Sequence, residues 1–400
     1  MFNPIKNMKS RSLVLAGALG LGLVTAANAQ NRVYLTGSTA YRNAINQTIF
    51  SLFDSAPQVA AFGNTTYYKA NTLDFEGNIG GVAYIIKASW SGSEAGIKDV
   101  ATGQSENFVD DIGTGSPVVT AVATSSSAVA GQLSAHTVDL APADNPQSYS
   151  KTKTPVLNNN AFIGIIPFVW VKNAQVPADQ SGTDWARITN LTDAQARVLL
   201  SGGSVGALLT GNSADVNHVV YVAGRDDGSG TRVNTFGETG FGIRTIPTQI
   251  LLGGSAGSPT IASSGNVGEG SGGTLAGKLG FAGSLESADP LAGVTGWIAL
   301  GYLGKSDADT AEAANGGGAN GAQELTYNGV AESSTAIQQG QYSFWGNEFI
   351  FQAPSVSPAA VTVYNGIVNN VNAHTDGIHE ISTASMQATR LGPLSDPGHN

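Results

Sequence analysis

The densest concentration of groups able to hold an anion is the octet at residues 224–231, Gly224-Arg225-Asp226-Asp227-Gly228-Ser229-Gly230-Thr231. Residues 218–223 read as a strand feeding it, and Arg232, Val233 and Phe236 read as the helix leaving it. The first amide groups of a helix have no partner in the chain, and the dipole adds partial positive charge there. Gly228 and Gly230 allow close backbone approach, Ser229 and Thr231 offer hydroxyls, and Arg225 offers a planar fork of donors. The same octet is also ordinary turn chemistry. Asp227 is out of place among anion donors unless it holds the Arg225 guanidinium.

Two more units of the same kind precede it. Residues 32–35 read as a strand, and Thr36-Gly37-Ser38-Thr39 opens a helix whose apolar face carries Ile45, Ile49, Leu52 and Phe53. Ser38 or Thr39 is the expected N-cap. Residues 82–88 read as a strand running into Ser91-Gly92-Ser93-Glu94, with a helix that Gly103 stops. Residues 137–146 read as a strand ending in a turn at Asp144-Asn145-Pro146.

The positioning elements alternate strand and helix through most of the chain, which predicts an α/β fold with largely parallel sheets and ligand groups at strand carboxyl ends. Residues 161–171 and 293–302 are continuous apolar runs, as in strands covered on both faces; Pro167 would place the first at an edge. A capping box at residues 192–195 and Ser357-Pro358 start two further helices. Residues 105–133 read as an elaborated loop or hairpin. Residues 253–280, rich in Gly and Ser, read as loops with one short helix, and residues 325–330 carry a hairpin signal.

Composition narrows the function. The 400 residues carry 41% hydrophobic and 12% charged side chains, 52 glycines and no cysteine. That excludes disulfides, thiolate metal sites and thiol catalysis. Lys6, Lys9 and Arg11, an apolar run and Ala27-Asn28-Ala29 read as a cleaved secretion signal over residues 1–29, with the mature chain starting at Gln30. Losing three cations and no acids takes the formal charge from −10 to −13, which argues against nucleic acid or an acidic membrane as partner. Two G-x-S-x-G matches, at residues 202–206 and 253–257, are cheap in so Gly/Ser-rich a chain. His136, His218, His374, His379 and His399 show no metal spacing.

Taken in order, five segments resemble the phosphate-binding proteins of ABC-type phosphate importers. Residues 225–231 match that family's Arg-x-Asp-Gly-Ser-Gly-Thr motif, and residues 35–39 are similar to its N-terminal Gly-x-Thr or Gly-Ser-x-Thr motif. Residues 91–98 are similar to its Gly-Ser-x-x-Gly-Ile-Lys segment. Residues 138–146 resemble the strand and turn bearing its ligand Asp, and residues 327–330 with 341–345 its C-terminal stretch. The resemblance implies a two-lobed, hinged periplasmic binding protein fold with two crossings between lobes. Residues 30–161 and 303–385 would form lobe one, 162–302 lobe two and 386–400 a tail. It further implies phosphate bound by Ser38, Thr39, the Ala40 amide, Ser93, Asp144, Arg225, Ser229, Gly230 and Thr231, with Asp227 orienting Arg225. Asp144 would accept a hydrogen bond from the proton on phosphate. The implied function is capture of inorganic phosphate and delivery to an ABC permease, by a monomeric, exported (periplasmic or extracellular) protein that is not an enzyme. No cofactor, metal, nucleic acid or membrane insertion is implied. The alternative is an exported surface or interaction protein that keeps the fold without phosphate transport. The chain departs from the family pattern at Ala40, where an aromatic is common, at Arg42, where Pro is common, and at Glu94, where a small polar residue is common.

Overall fold

The computed structural model describes residues 30–115, 117–120, 122–283, 296–390 and 397–399, so the secretion-signal expectation lies outside the described residues. The described residues from Asn31 onward form one compact unit.

The chain starts with β1 (Asn31–Leu35), α1 (Arg42–Ser51) and three strands, β2 (Gln58–Phe62), β3 (Thr72–Ile79) and β4 (Val82–Ser89). It continues through α2 (Ser93–Thr102), β5 (Leu140–Ala143), the long β6 (Asn160–Lys172), β7 (His218–Ala223) and α3 (Gly230–Glu238). Then come β8 (Gln249–Ser255), β9 (Ser258–Gly265), α4 (Gly272–Leu279), β10 (Gly296–Gly304), α5 (Lys305–Glu312), β11 (Trp345–Gln352) and α6 (Pro358–Asn370).

These strands join in one sheet of order β9-β8-β7-β10-β6-β11-β5-β1-β4-β3-β2. The fold is α/β as expected, but the sheet is mixed rather than largely parallel. Among the described residues, parallel pairing in this sheet joins β4-β1-β5 on one side and β10-β7-β8 on the other, with residues 123–124 parallel to β2 at the edge. Antiparallel hairpins extend both edges, because turns as short as Gly80-Gly81 and Ala256-Gly257 can only reverse the chain. Residues 253–280 are therefore largely the β8–β9 hairpin and α4 rather than loops.

β6 belongs to both halves. Residues 160–167 pair with β11, and residues 168–172 pair with β10 on the opposite flank. Pro167 is thus central, not at an edge. Its missing donor is tolerated because the partner changes there. The second crossing was expected at residues 293–302, with residues from 303 onward in lobe one. α5 packs on α4, Gln323–Glu324 pairs with the end of β6, and Thr326–Tyr327 pairs with Asn190–Leu191. The chain rejoins the first half through Phe344, whose carbonyl accepts from the Phe168 amide, and β11. Trp170, Trp185 and Trp345 are among the largest fully buried side chains, and a single apolar cluster runs under both halves.

Several local expectations hold. Thr192 and Gln195 make the capping box, Ser357 caps α6 with Pro358 next, and Gly103 ends α2 in the left-handed region at φ 67°. Ser105–Val109 pairs antiparallel with Leu133–Thr137, a hairpin within the elaborated segment. The N-cap of α1 differs. Tyr41 occupies it without a side-chain cap, and neither Ser38 nor Thr39 bonds the first turn. The buried Glu380 carboxyl, from the C-terminal segment, faces the first turn at Ala44, whose backbone opposes the rise that burial gives it.

Candidate functional site

β1, β4 and β5 run side by side in one direction, so their carboxyl ends present α1, α2 and Asp144 together. From the other half, β7 delivers residues 224–231 and α3. The two sets meet. The Glu94 amide, in the first turn of α2, donates to the Gly228 carbonyl at 3.2 Å.

Asp144 is the centre of that meeting and is 2% exposed. The Ser93 hydroxyl donates to its Oδ1 at 2.5 Å, and the Asp144 amide donates back to Ser93 Oγ at 3.2 Å. From α3, the Thr231 hydroxyl reaches Oδ2 at 3.4 Å, and the Asn234 amide donates to the Asp144 carbonyl at 2.6 Å. Gly230 is required there, since a Cβ on it would stand 1.6 Å from Asp144 Oδ1. Ser229 is buried and caps α3, accepting from the Arg232 amide. Burial pushes the Asp144 carboxyl up to about 6, opposed by the Ser93 hydrogen bond, the Arg225 charge and Thr231.

Arg225 is 3% exposed and held by three contacts. Its amide donates to Tyr302 Oη at 3.0 Å, Nε to the Glu269 carbonyl at 3.1 Å and Nη2 to the Gly270 carbonyl at 3.2 Å. The expected helper, Asp227, does not orient it. Asp227 is exposed and pairs with Lys151 of the first half. Backbone carbonyls of the segment before α4 take that orienting role, which no side-chain pattern announces.

Glu94 does not oppose the cluster. Its carboxylate accepts from Asn145 Nδ2 at 2.8 Å, the Lys151 amide at 2.8 Å and Ser150 Oγ at 3.1 Å, so it braces the 145–151 turn. Its carboxyl is raised by burial and lowered by those three donors.

The remaining expected residues sit apart from Asp144. Thr39 and Ala40 line a small pocket of about 20 Å³ with Arg42, Lys305 and Asp307. Ser38 is buried, its hydroxyl 3.2 Å from Glu348 Oε2 and its amide donating to the Pro142 carbonyl at 2.8 Å. The structure thus gathers Ser93, Asp144, Ser229, Gly230 and Thr231 at one junction and keeps Arg225 beside it. Ser38 hangs on the neighbouring strand, and Thr39 and Ala40 lie at the start of α1 next to α5.

Four contributors escaped the sequence reading: Asn145, Asn234, Glu348 and Glu380. Asn234 was findable, because it lies one turn beyond Gly230 on the same face of α3. Asn145, whose buried Oδ1 has no partner, is next to Asp144 in the chain. Glu348 and Glu380 come from distant segments with no local signal. The two G-x-S-x-G segments fall elsewhere. Ser204 lies in a two-residue strand against β7, and Ser255 ends β8, so neither is on a strand-to-helix elbow.

No family model and no curated protein sequence matches the chain. Three solved structures align with most of it. One is a Clostridium perfringens protein described as a phosphate ABC transporter substrate-binding protein with bound phosphate: 14% identity, TM-score 0.44, covering 88% of this chain and 100% of that one. An ABC-type phosphate transport receptor from Vibrio cholerae aligns at 12% identity and TM-score 0.41, over 85% and 95%. PstS from Borrelia burgdorferi aligns at 11% identity and TM-score 0.36, over 86% and 97%.

Proposed function

We propose that this chain is an exported substrate-binding protein that captures inorganic phosphate between two lobes and delivers it to an ABC-type importer. The carrying observation is the junction at Asp144, where the α2 start from one half-sheet meets the Gly230–Thr231 helix tip from the other, with Arg225 alongside. Hydroxyls, helix amides and one guanidinium suit a tetrahedral oxyanion. An ionised Asp facing a fully deprotonated oxyanion would set acceptor against acceptor, whereas a protonated phosphate donates to it. One carboxylate then rejects sulfate.

On this reading the lobes are the two half-sheets, joined by β6 and by the passage through Phe344 into β11. Ser38, Thr39 and the Ala40 amide complete the site from the first lobe as the lobes rearrange around the guest. The protein acts as a monomer in the periplasm or outside the cell and is not an enzyme. No helix among the described residues is long and apolar enough to cross a membrane.

The test is calorimetric titration of the ligand-free mature chain with phosphate and with sulfate. Saturable phosphate binding with weak sulfate binding is expected, and Asp144→Asn should narrow that ratio. Absence of phosphate binding by the wild-type chain would overturn the reading.

A further inference from the structure

Glu348 is a fully buried carboxyl on β11, within the strand that leads back into the first half. Its Oε2 lies 3.2 Å from the Ser38 hydroxyl, and its Oε1 is buried with no hydrogen-bond partner. The charged and titratable groups around it are all acids. Tyr41 faces it from the segment after β1, Asp144 from the end of β5 and Glu380 from the C-terminal segment. Among the described residues it makes no ion pair with a Lys or Arg. A bare carboxylate there would stand desolvated beside other acids, a situation proteins avoid by keeping the proton.

Resting on the phosphate reading above, we infer that Glu348 is a neutral carboxylic acid whose O–H donates to Ser38 Oγ, turning the Ser38 proton toward the guest. The hydroxyl of Ser38 has one proton. If Glu348 were ionised, that proton would be spent on it, and Ser38 would show the oxyanion only lone pairs. With the proton on Glu348, the order reverses: the acid donates, Ser38 accepts, and the Ser38 hydrogen is free to donate to a phosphate oxygen. No proton is transferred. Glu348 is therefore a positioning residue, acting through Ser38. It also spares the site a second negative charge beside Asp144. Burial, Asp144 and Glu380 all hold its carboxyl well above the usual carboxylate range, against the opposing Ser38 contact.

The experiment pairs a direct reading of the proton with a binding cycle on the full mature chain. The infrared difference spectrum of wild type minus Glu348→Gln at pH 7 should contain a protonated-carboxyl carbonyl stretch. Phosphate titrations should show Glu348→Gln close to wild type, because its amide also donates to Ser38. Glu348→Ala should bind about tenfold more weakly, the scale of one lost hydrogen bond to an anion. In a Ser38→Ala background the Glu348→Ala change should add little more. A wild-type chain that takes no phosphate overturns the proposed function, whatever the band shows. A chain that binds phosphate but lacks the band, or in which Glu348→Gln loses as much as Glu348→Ala, overturns this inference alone.

Discussion

At the scale of single residues, Gly230 and Asp144 occupy the same small space. A methyl group on Gly230 cannot coexist with the Asp144 carboxylate at 1.6 Å, so Gly230→Ala must push Asp144 or the α3 tip aside. Phosphate affinity of that variant should fall by at least about a hundredfold, consistent with a displaced anchor at a charged hydrogen-bonding site. Melting temperature alongside titration would separate this from global unfolding. The Asp144 carboxyl also titrates at about 6, raised mainly by burial. On the proposed function, above that pH it would be an acceptor that rejects sulfate, and below it would carry a proton that sulfate can accept. Sulfate affinity should therefore rise as pH falls from 7 to 5, by up to about tenfold per unit below the titration point. Asp144→Asn should show no such slope. A sulfate affinity flat with pH in the wild type would remove Asp144 from the selectivity role.

At the scale of elements, the hydroxyl at the start of α3 is a helix cap. Ser229 caps the helix that carries the site, so Ser229→Ala should cost about 1 kcal/mol of stability by denaturant titration. Asp227 illustrates the contrast. It pairs with Lys151 across the two halves at the exposed surface, where ion pairs contribute about 0–1 kcal/mol. Asp227→Asn should leave phosphate affinity within about fivefold of wild type, while Arg225→Ala, which removes the site's guanidinium, should lose far more. An equal loss in the two variants would restore the orienting role of Asp227. The strand–Gly/Ser/Thr–helix units around α1, α2 and α3 were readable because each signal is local: a strand pattern, a small-residue turn, an amphipathic face. What held Arg225 was not readable. Two main-chain carbonyls, at Glu269 and Gly270, do it, and carbonyls carry no residue identity. The cap of α1 was misplaced for a related reason. Glu380 arrives from more than three hundred residues away and faces the first turn in place of the local Ser38 and Thr39 candidates.

At the scale of the whole molecule, strand alternation gave the α/β class but not the sheet. A thirteen-residue β6 that changes partner at Pro167 reads locally as one buried strand, and nothing within it shows that it serves two half-sheets. The same global folding collects acids. Burial raises Glu380 to about 8, Glu324 to about 7, Asp99 to about 7 and Asp144 to about 6. Each of these groups has a folded value above its unfolded one, near 4. The stability each contributes is complete below pH 4 and is lost as pH climbs through its folded value. His379, raised to about 10 by hydrogen bonds to Asp309 and Asp376, has the same sign over a higher window, from about 6.5 upward. The opposite sign belongs to Asp111, held at about 2 by Arg32, and to Asp376, held low mainly by the His379 hydrogen bond against burial; their contributions fade only below about pH 4. Between pH 8 and pH 5 the raised acids, joined by Asp74 at about 8 and by His379, outnumber the groups of opposite sign, His136 and Lys172, which burial holds low. The ligand-free chain should therefore melt higher at pH 5 than at pH 8. One retained pKa unit is about 1.4 kcal/mol, which for a chain of this size corresponds to at least about 2 °C. Glu380→Gln should flatten the upper part of that slope in part, because it removes one of the two acids raised to about 8, Asp74 being the other. A melting temperature that rises from pH 5 to pH 8 would show that the buried acids are ionised and paired in the folded state, and the neutral Glu348 would fall with them.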